Sequence, residues 1–209
     1  MLHHPAVRRT LLLCCAGAAL GACKGKENTQ SGAVDTTATT RTESTTTTGG
    51  APGAASATMS DANIVAVLDK ANANDSAGGA LAQRKGTNAD VKSFGRLMAG
   101  EHHALRQEGQ ALAKKLNVTP APPATDSLDI MAKSSEQQLQ STPKGAQWDR
   151  TYIDNEVKMH EAVLSTAQKA KDQAQNPELK QLIEKAAPVI QKHLDRAKEI
   201  QKKLGGATT

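Results

Sequence analysis

Four ionisable residues stand where an apolar residue belongs. Asp75, His102, His160 and His193 each fall on the apolar stripe of a helical repeat rather than opposite it; His102 lies four residues after Met98 and three before Leu105. Imidazole nitrogens with a carboxylate oxygen form a donor set for a transition metal ion such as Zn, Fe, Mn, Ni or Cu. Facing helices of a bundle are a common place to assemble one. Glu101 and Glu156, within about a turn of a histidine, are further candidate ligands or partners that orient the imidazoles, and Tyr152 and Asp149 are candidates for the hydrogen bonds behind them. The competing reading is a buried polar cluster without metal, in which Asp75 and Tyr152 satisfy the histidines. His103 points to the flank and is expected in solvent. No Ser, His and carboxylate spacing and no Gly-rich loop marks a nucleophile, so no catalytic residue and no organic cofactor is assigned.

The elements that must position these residues follow from periodicity. Ser60 or Asp61 caps a first helix with Ile64, Leu68, Ala71, Asp75 and Ala82 on one face, and Gly78 and Gly79 open that face to a close neighbour. Gly86 closes it. Asn88 caps a second helix to about Leu116, with Val91, Phe94, Met98, Leu105 and Leu112 inward. Residues 118–124, VTPAPPA, cannot be helical with three prolines. A short helix around Asp126 to Ser141, with Leu128, Met131 and Leu139 inward, sits in this long connection. A third long helix carries Trp148, Tyr152, Ile153, Val157, His160 and Val163. The fourth runs from Pro177 through Leu179, Leu182, Ala186, Ile190, His193, Ala197 and Ile200 to Leu204, with Pro188 expected to kink it. Asp75, His102, His160 and His193 lie 14, 14, 14 and 16 residues into their helices. Antiparallel helices of similar length share their midpoints, so the four groups are expected in one central layer.

Ahead of this domain, residues 1–22 read as a lipoprotein signal peptide. Arg8 and Arg9 form a positive start, Leu11 to Leu20 an apolar run, and Leu20-Gly21-Ala22-Cys23 resembles a lipobox. Cys23 would carry the lipid and tether the protein to a bacterial membrane on the periplasmic side. Arg8-Arg9 before Thr10-Leu11-Leu12 also resembles a twin-arginine signal. Cys14 and Cys15 leave with the leader, which excludes disulfides and thiol chemistry from the mature protein. Residues 23–59, rich in Thr, Ala and Gly, are expected to be a disordered tether reaching roughly 30–35 Å, and residues 205–209 a disordered tail. Of 209 residues, one is Phe, one Trp and one Tyr, so the core between them must be aliphatic. The net charge of +5 falls to +3 without the two leader arginines, and no basic run interleaved with aromatics argues for nucleic acid.

Three runs, ALAQRKGTNADVKSFGRLMAGEHHAL, WDRTYIDNEVKMHEAV and Pro188 to Leu194, together resemble the bacterial domain-of-unknown-function 4142 family of exported proteins, over about residues 60–204. The resemblance implies an all-α fold: a ferritin-like, up-down four-helix bundle with a short extra helix in the middle connection. In the family's pattern an acid would match Asp75, an acid-His pair Glu101-His102, an aromatic-Asp-x-x-Tyr motif Trp148, Asp149 and Tyr152, and later histidines His160 and His193. Asp at 75 for the usual Glu, and Glu at 101 for Asp, each change ligand reach by one methylene. Ferroxidase chemistry is not implied, because Ala99, Val157 and Ile190 occupy the positions three before each histidine and break the Glu-x-x-His motif. Two functions remain open: a lipid-anchored metal-binding bundle of the cell envelope, or a non-catalytic envelope module that binds a protein partner and keeps its polar layer for structure alone.

Overall fold

A computed structural model describes residues 58–205. The expected signal peptide, the expected lipidation site Cys23, nearly all of the expected tether and residues 206–209 lie outside the described residues.

Four of the five helices begin where a side chain can satisfy their free amides, the fourth in chain order being the exception. Ser60 Oγ accepts from Asn63 N at 3.2 Å and Asn63 Oδ1 returns a bond to Ser60 N at 3.1 Å, a capping box that starts α1 (Asp61–Lys85). Asn88 Oδ1 accepts from Asp90 N at 2.8 Å and opens α2 (Ala89–Lys115). Asp126 caps α3 (Ser127–Ser141) through Leu128 N at 3.0 Å. Gly145, at φ 142° where a side chain would be strained, precedes α4 (Ala146–Gln173). Asn176 accepts from Glu178 N at 2.8 Å ahead of α5 (Pro177–Gly205), whose first residue is a proline with no N–H in need of an acceptor. α5 continues through Pro188 as one helix.

The long helices form two hairpins, α1 with α2 and α4 with α5. Bonds at the ends set their directions. Asp149, near the start of α4, accepts from Thr87 N at 2.9 Å and Asn88 N at 2.8 Å, in the α1–α2 turn, and Arg150 Nε donates to Leu204 O at 3.1 Å. At the opposite end Asp61 accepts from Gln175 N at 2.8 Å and Asn176 N at 3.0 Å. α4 thus runs antiparallel to α1, and α5 antiparallel to α2. The connection after α2 must return the whole length of the bundle, and α3 rides in it, packed on α1 and α4. The described residues are all-α, a four-helix bundle with one short added helix, as expected.

The first hairpin is drawn together by glycines. A Cβ at Gly79 would stand 2.5 Å from Gly95 O and 2.7 Å from Ala99 N, and one at Gly95 would stand 2.7 Å from Gly79 O. Of the expected pair, Gly79 makes the close approach; a Cβ at Gly78 would meet only Glu156 Oε1, at 3.6 Å. In α3 the inward stripe is Leu128, Ala132, Ser135 and Leu139, so Met131 falls beside it and is exposed rather than inward. One apolar cluster, built on Phe94, Met98, Trp148 and Tyr152, fills the half of the bundle next to the α1–α2 turn, and another, built on Ile64, Leu179 and Ile183, fills the other half. Trp148 stacks on Tyr152 at 5.5 Å and donates through Nε1 to Leu139 O at 3.0 Å, which fastens α3.

Candidate metal centre

Between the apolar halves lie five of the six buried polar side chains, Asp75, His102, Glu156, His160 and His193. The mid-helix arithmetic therefore leads to a real layer: the ring centroids of His102 and His160 are 5.5 Å apart, those of His102 and His193 5.0 Å, and those of His160 and His193 5.5 Å. Each histidine is at most 1% exposed.

The two nitrogens of each ring live in different surroundings. His160 Nδ1 lies 2.8 Å from the backbone carbonyl of Glu156. A carbonyl only accepts, so Nδ1 carries the proton and Nε2 the lone pair. His193 Nε2 lies 2.7 Å from Glu101 Oε2, which likewise fixes the proton there and leaves the lone pair on Nδ1. His102 Nδ1 lies 2.9 Å from Asn72 Oδ1. The Asn72 amide is oriented by its own Nδ2, which donates to Leu68 O at 2.9 Å, so its oxygen must be the group that faces His102. The three nitrogens left over, His102 Nε2, His160 Nε2 and His193 Nδ1, are buried and have no hydrogen-bond partner. The three imidazoles can present one nitrogen each within 4.8 Å of one another.

Burial holds these rings neutral. Desolvation, with the charges of His160 and His193 behind it, pushes His102 well below the usual histidine range. His160 is pushed down to about 4, again chiefly by burial, against the bond to the Glu156 carbonyl. Desolvation also lowers His193, with Glu101 opposing. At neutral pH all three lone pairs are available.

The acids play different parts from those their positions suggest. Asp75 Oδ2 sits 3.6 Å from His102 Nδ1, on the protonated edge, and stands apart from the three converging nitrogens. Burial pushes its carboxyl up to about 7. Glu101 backs His193 and is half-exposed, at 47% of its side chain. Glu156 lies beside His160, its Oε2 3.5 Å from Nδ1, and is driven well above the carboxylate range by burial and then by Asp75. The Tyr152 hydroxyl stands against Glu156, but it falls short of hydrogen-bond geometry, so both it and Glu156 Oε2 lack partners. Asp149 does not back the histidines; it holds the α1–α2 turn described above. His103 is exposed, as expected. Asn72 is the partner that the sequence reading missed, although it sits one turn before Asp75 on the same helix.

A metal ion bonded to three imidazole nitrogens at about 2.0–2.1 Å requires them roughly 3.3–3.6 Å from one another. Nitrogens within 4.8 Å of one another would have to draw together by at most about 1.2–1.5 Å to close on an ion, a distance side-chain rotation can cover. The donor set fits: three neutral nitrogens, each with its second nitrogen held by an oxygen, match the way proteins orient metal-binding imidazoles.

The profile of the domain of unknown function DUF4142 matches residues 46–200, and the chain belongs to that family. No curated protein matches the chain. Among solved structures it is similar to "CopM in the Cu(II)-bound form", with 14% sequence identity and a TM-score of 0.58, over 70% of this chain and 99% of that one. At this identity the likeness concerns the fold.

Proposed function

We propose that this DUF4142 protein is a transition-metal-binding bundle of the cell envelope, in which His102, His160 and His193 hold one ion. The observation that carries the proposal is the set of three buried nitrogens with nothing to donate to them, His102 Nε2, His160 Nε2 and His193 Nδ1, on rings that can each present one nitrogen within 4.8 Å of the others. A layer kept only for structure would leave these three acceptors unpaired at roughly 1–3 kcal/mol each, where apolar side chains of similar volume would leave none. Three neutral imidazoles without a carboxylate disfavour Mg and Ca and favour the later first-row ions. The Irving–Williams order puts copper first. The similarity in fold to a protein described in its Cu(II)-bound form supports the same choice. Asp75 has no place among the ligands in this reading. Asn72, Glu101 and the Glu156 carbonyl orient the rings.

The lipobox at Leu20 to Cys23 and the Thr-rich segment after it support a location at the membrane, with the bundle held off the surface on a tether. Metal handling in the envelope is the role that joins this location to the site. Titration of the purified chain with copper against a chromophoric chelator should show one tight equivalent per chain, which His193→Leu should weaken by at least tenfold. A chain that takes up no copper, zinc or nickel, or whose uptake is the same after His193→Leu, would remove the basis for this function.

A further inference from the structure

On the protonated side of His102 and His160 there is a second unresolved problem of charge. Asp75 and Glu156 are both buried, near enough for the charge of Asp75 to act on Glu156, and among the described residues the ionic partner of each is a histidine rather than a lysine or arginine. Two carboxyls in one buried place are costly unless a proton or a cation compensates them. Tyr152, 1% exposed, adds a hydroxyl without a partner, and Glu156 Oε2 has none either.

These three groups help to line an open, water-accessible cavity of about 430 Å³ between α1, α3 and α4. It has room for several waters. Gly78 helps to keep it open, since a Cβ there would come 3.6 Å from Glu156 Oε1. The lysines on its wall are occupied elsewhere: Lys133 and Lys70 pair with Asp129 at 2.6 and 3.6 Å, and Lys85 Nζ donates to Leu139 O at 3.4 Å. Tyr152 Oη and Glu156 Oε2 are themselves shielded from water just behind this lining, and among the described residues neither Asp75 nor Glu156 is paired with a lysine or with Arg84, which also lines the space.

We infer that this cavity holds a second cation site, in which Asp75, Glu156 and Tyr152 offer oxygen atoms to a partly hydrated divalent ion behind the imidazoles of His102 and His160. Carboxylate, hydroxyl and water are the donors of hard ions such as Mn and Mg, whereas the three nitrogens select later metals, so the two sites differ in preference. The inference does not depend on occupation of the nitrogen site.

Mn²⁺ is the probe, followed by the loss of its free-ion paramagnetic resonance signal on titration of the full chain. Wild type should bind one saturable equivalent, and His193→Leu, which disables the nitrogen site at a residue paired with Glu101 rather than with Asp75 or Glu156, should retain it. Glu156→Gln should weaken it at least tenfold and Tyr152→Phe several-fold, while Glu136→Gln on the exposed rim should have no effect. Circular dichroism and melting show which variants fold; if Glu156→Gln does not, Asp75→Asn takes its place with the same expected loss. No saturable uptake by wild type, loss of uptake in His193→Leu, or uptake indifferent to both acid substitutions would each overturn the inference. Loss of copper uptake alone would count against the nitrogen site and leave this one standing.

Discussion

Replacing His160 with Leu should change the stability of the protein in opposite directions with and without metal. His160 makes one hydrogen bond, from Nδ1 to the Glu156 carbonyl at 2.8 Å, and α4's own ladder already employs that carbonyl. Losing the bond costs about 1 kcal/mol. The substitution also removes Nε2, a buried acceptor with no partner, whose burial costs roughly 1–3 kcal/mol. In chelator at pH 7.5, where the ring is neutral both folded and unfolded, the variant should therefore match wild type or exceed it by up to about 2 kcal/mol. At about 2–4 °C per kcal/mol for a domain of this size, that is a rise in Tm of up to roughly 8 °C. With metal at about 100 times its Kd, wild type alone gains about 2.7 kcal/mol. The variant should then be the less stable by about 1–3 kcal/mol. Paired thermal melts, with chelator and with copper, read both signs. A His160→Leu protein that is less stable than wild type by the same amount in both conditions would refute the reasoning, since it would mean that His160 works as a packed, satisfied side chain.

Acidification should expose the opposition between the histidines and Asp75. His160, about 4 in the fold against about 6.5 unfolded, gives stability that is present above pH 6.5 and lost as pH falls toward 4. Asp75, at about 7 against 3.8, contributes in the reverse sense, fully below pH 3.8 and lost as pH rises toward 7. Asp75→Asn should thus steepen the loss between pH 6.5 and 4.5 by about 1.4 kcal/mol per pH unit in urea melts, and parallel pH curves would contradict it. Gly79→Ala, whose Cβ would lie 2.5 Å from Gly95 O, should destabilise by about 1–3 kcal/mol or more, while Gly100→Ala on open helix surface should stabilise by about 0.5–1 kcal/mol. Cys23→Ser should abolish incorporation of labelled fatty acid and move the protein out of the membrane fraction; a wild type that never takes up label would contradict the lipobox reading.

The bundle was legible because its signals are redundant. Three-four spacing, prolines at 120, 122 and 123 and capping residues at 60 and 88 all agree on where helices start and stop. The polar layer was legible for a geometric reason, since equal antiparallel helices bring their midpoints together. What lay within the layer was less so. Position along a helix does not say which edge of an imidazole faces inward, and that edge decides whether Asp75 is a ligand or lies behind one. Asn72 looked like an ordinary polar residue; only the orientation of its amide by Leu68 O makes it a partner of His102. Asp149 could have been excluded by length alone, because eleven residues of helix place it about 16 Å from His160. Gly95 gave no warning either, as a glycine's role in close packing depends on the Gly79 that it meets.

The central claim is that His102, His160 and His193 bind one ion through His102 Nε2, His160 Nε2 and His193 Nδ1. X-ray absorption at the copper edge, on the chain loaded with one equivalent, measures it most directly. The account predicts three imidazole nitrogens at about 2.0 Å, with the outer-ring scattering of histidine, and loss of that pattern in His193→Leu. A spectrum dominated by oxygen ligands, or a three-imidazole pattern that survives His193→Leu, would contradict it.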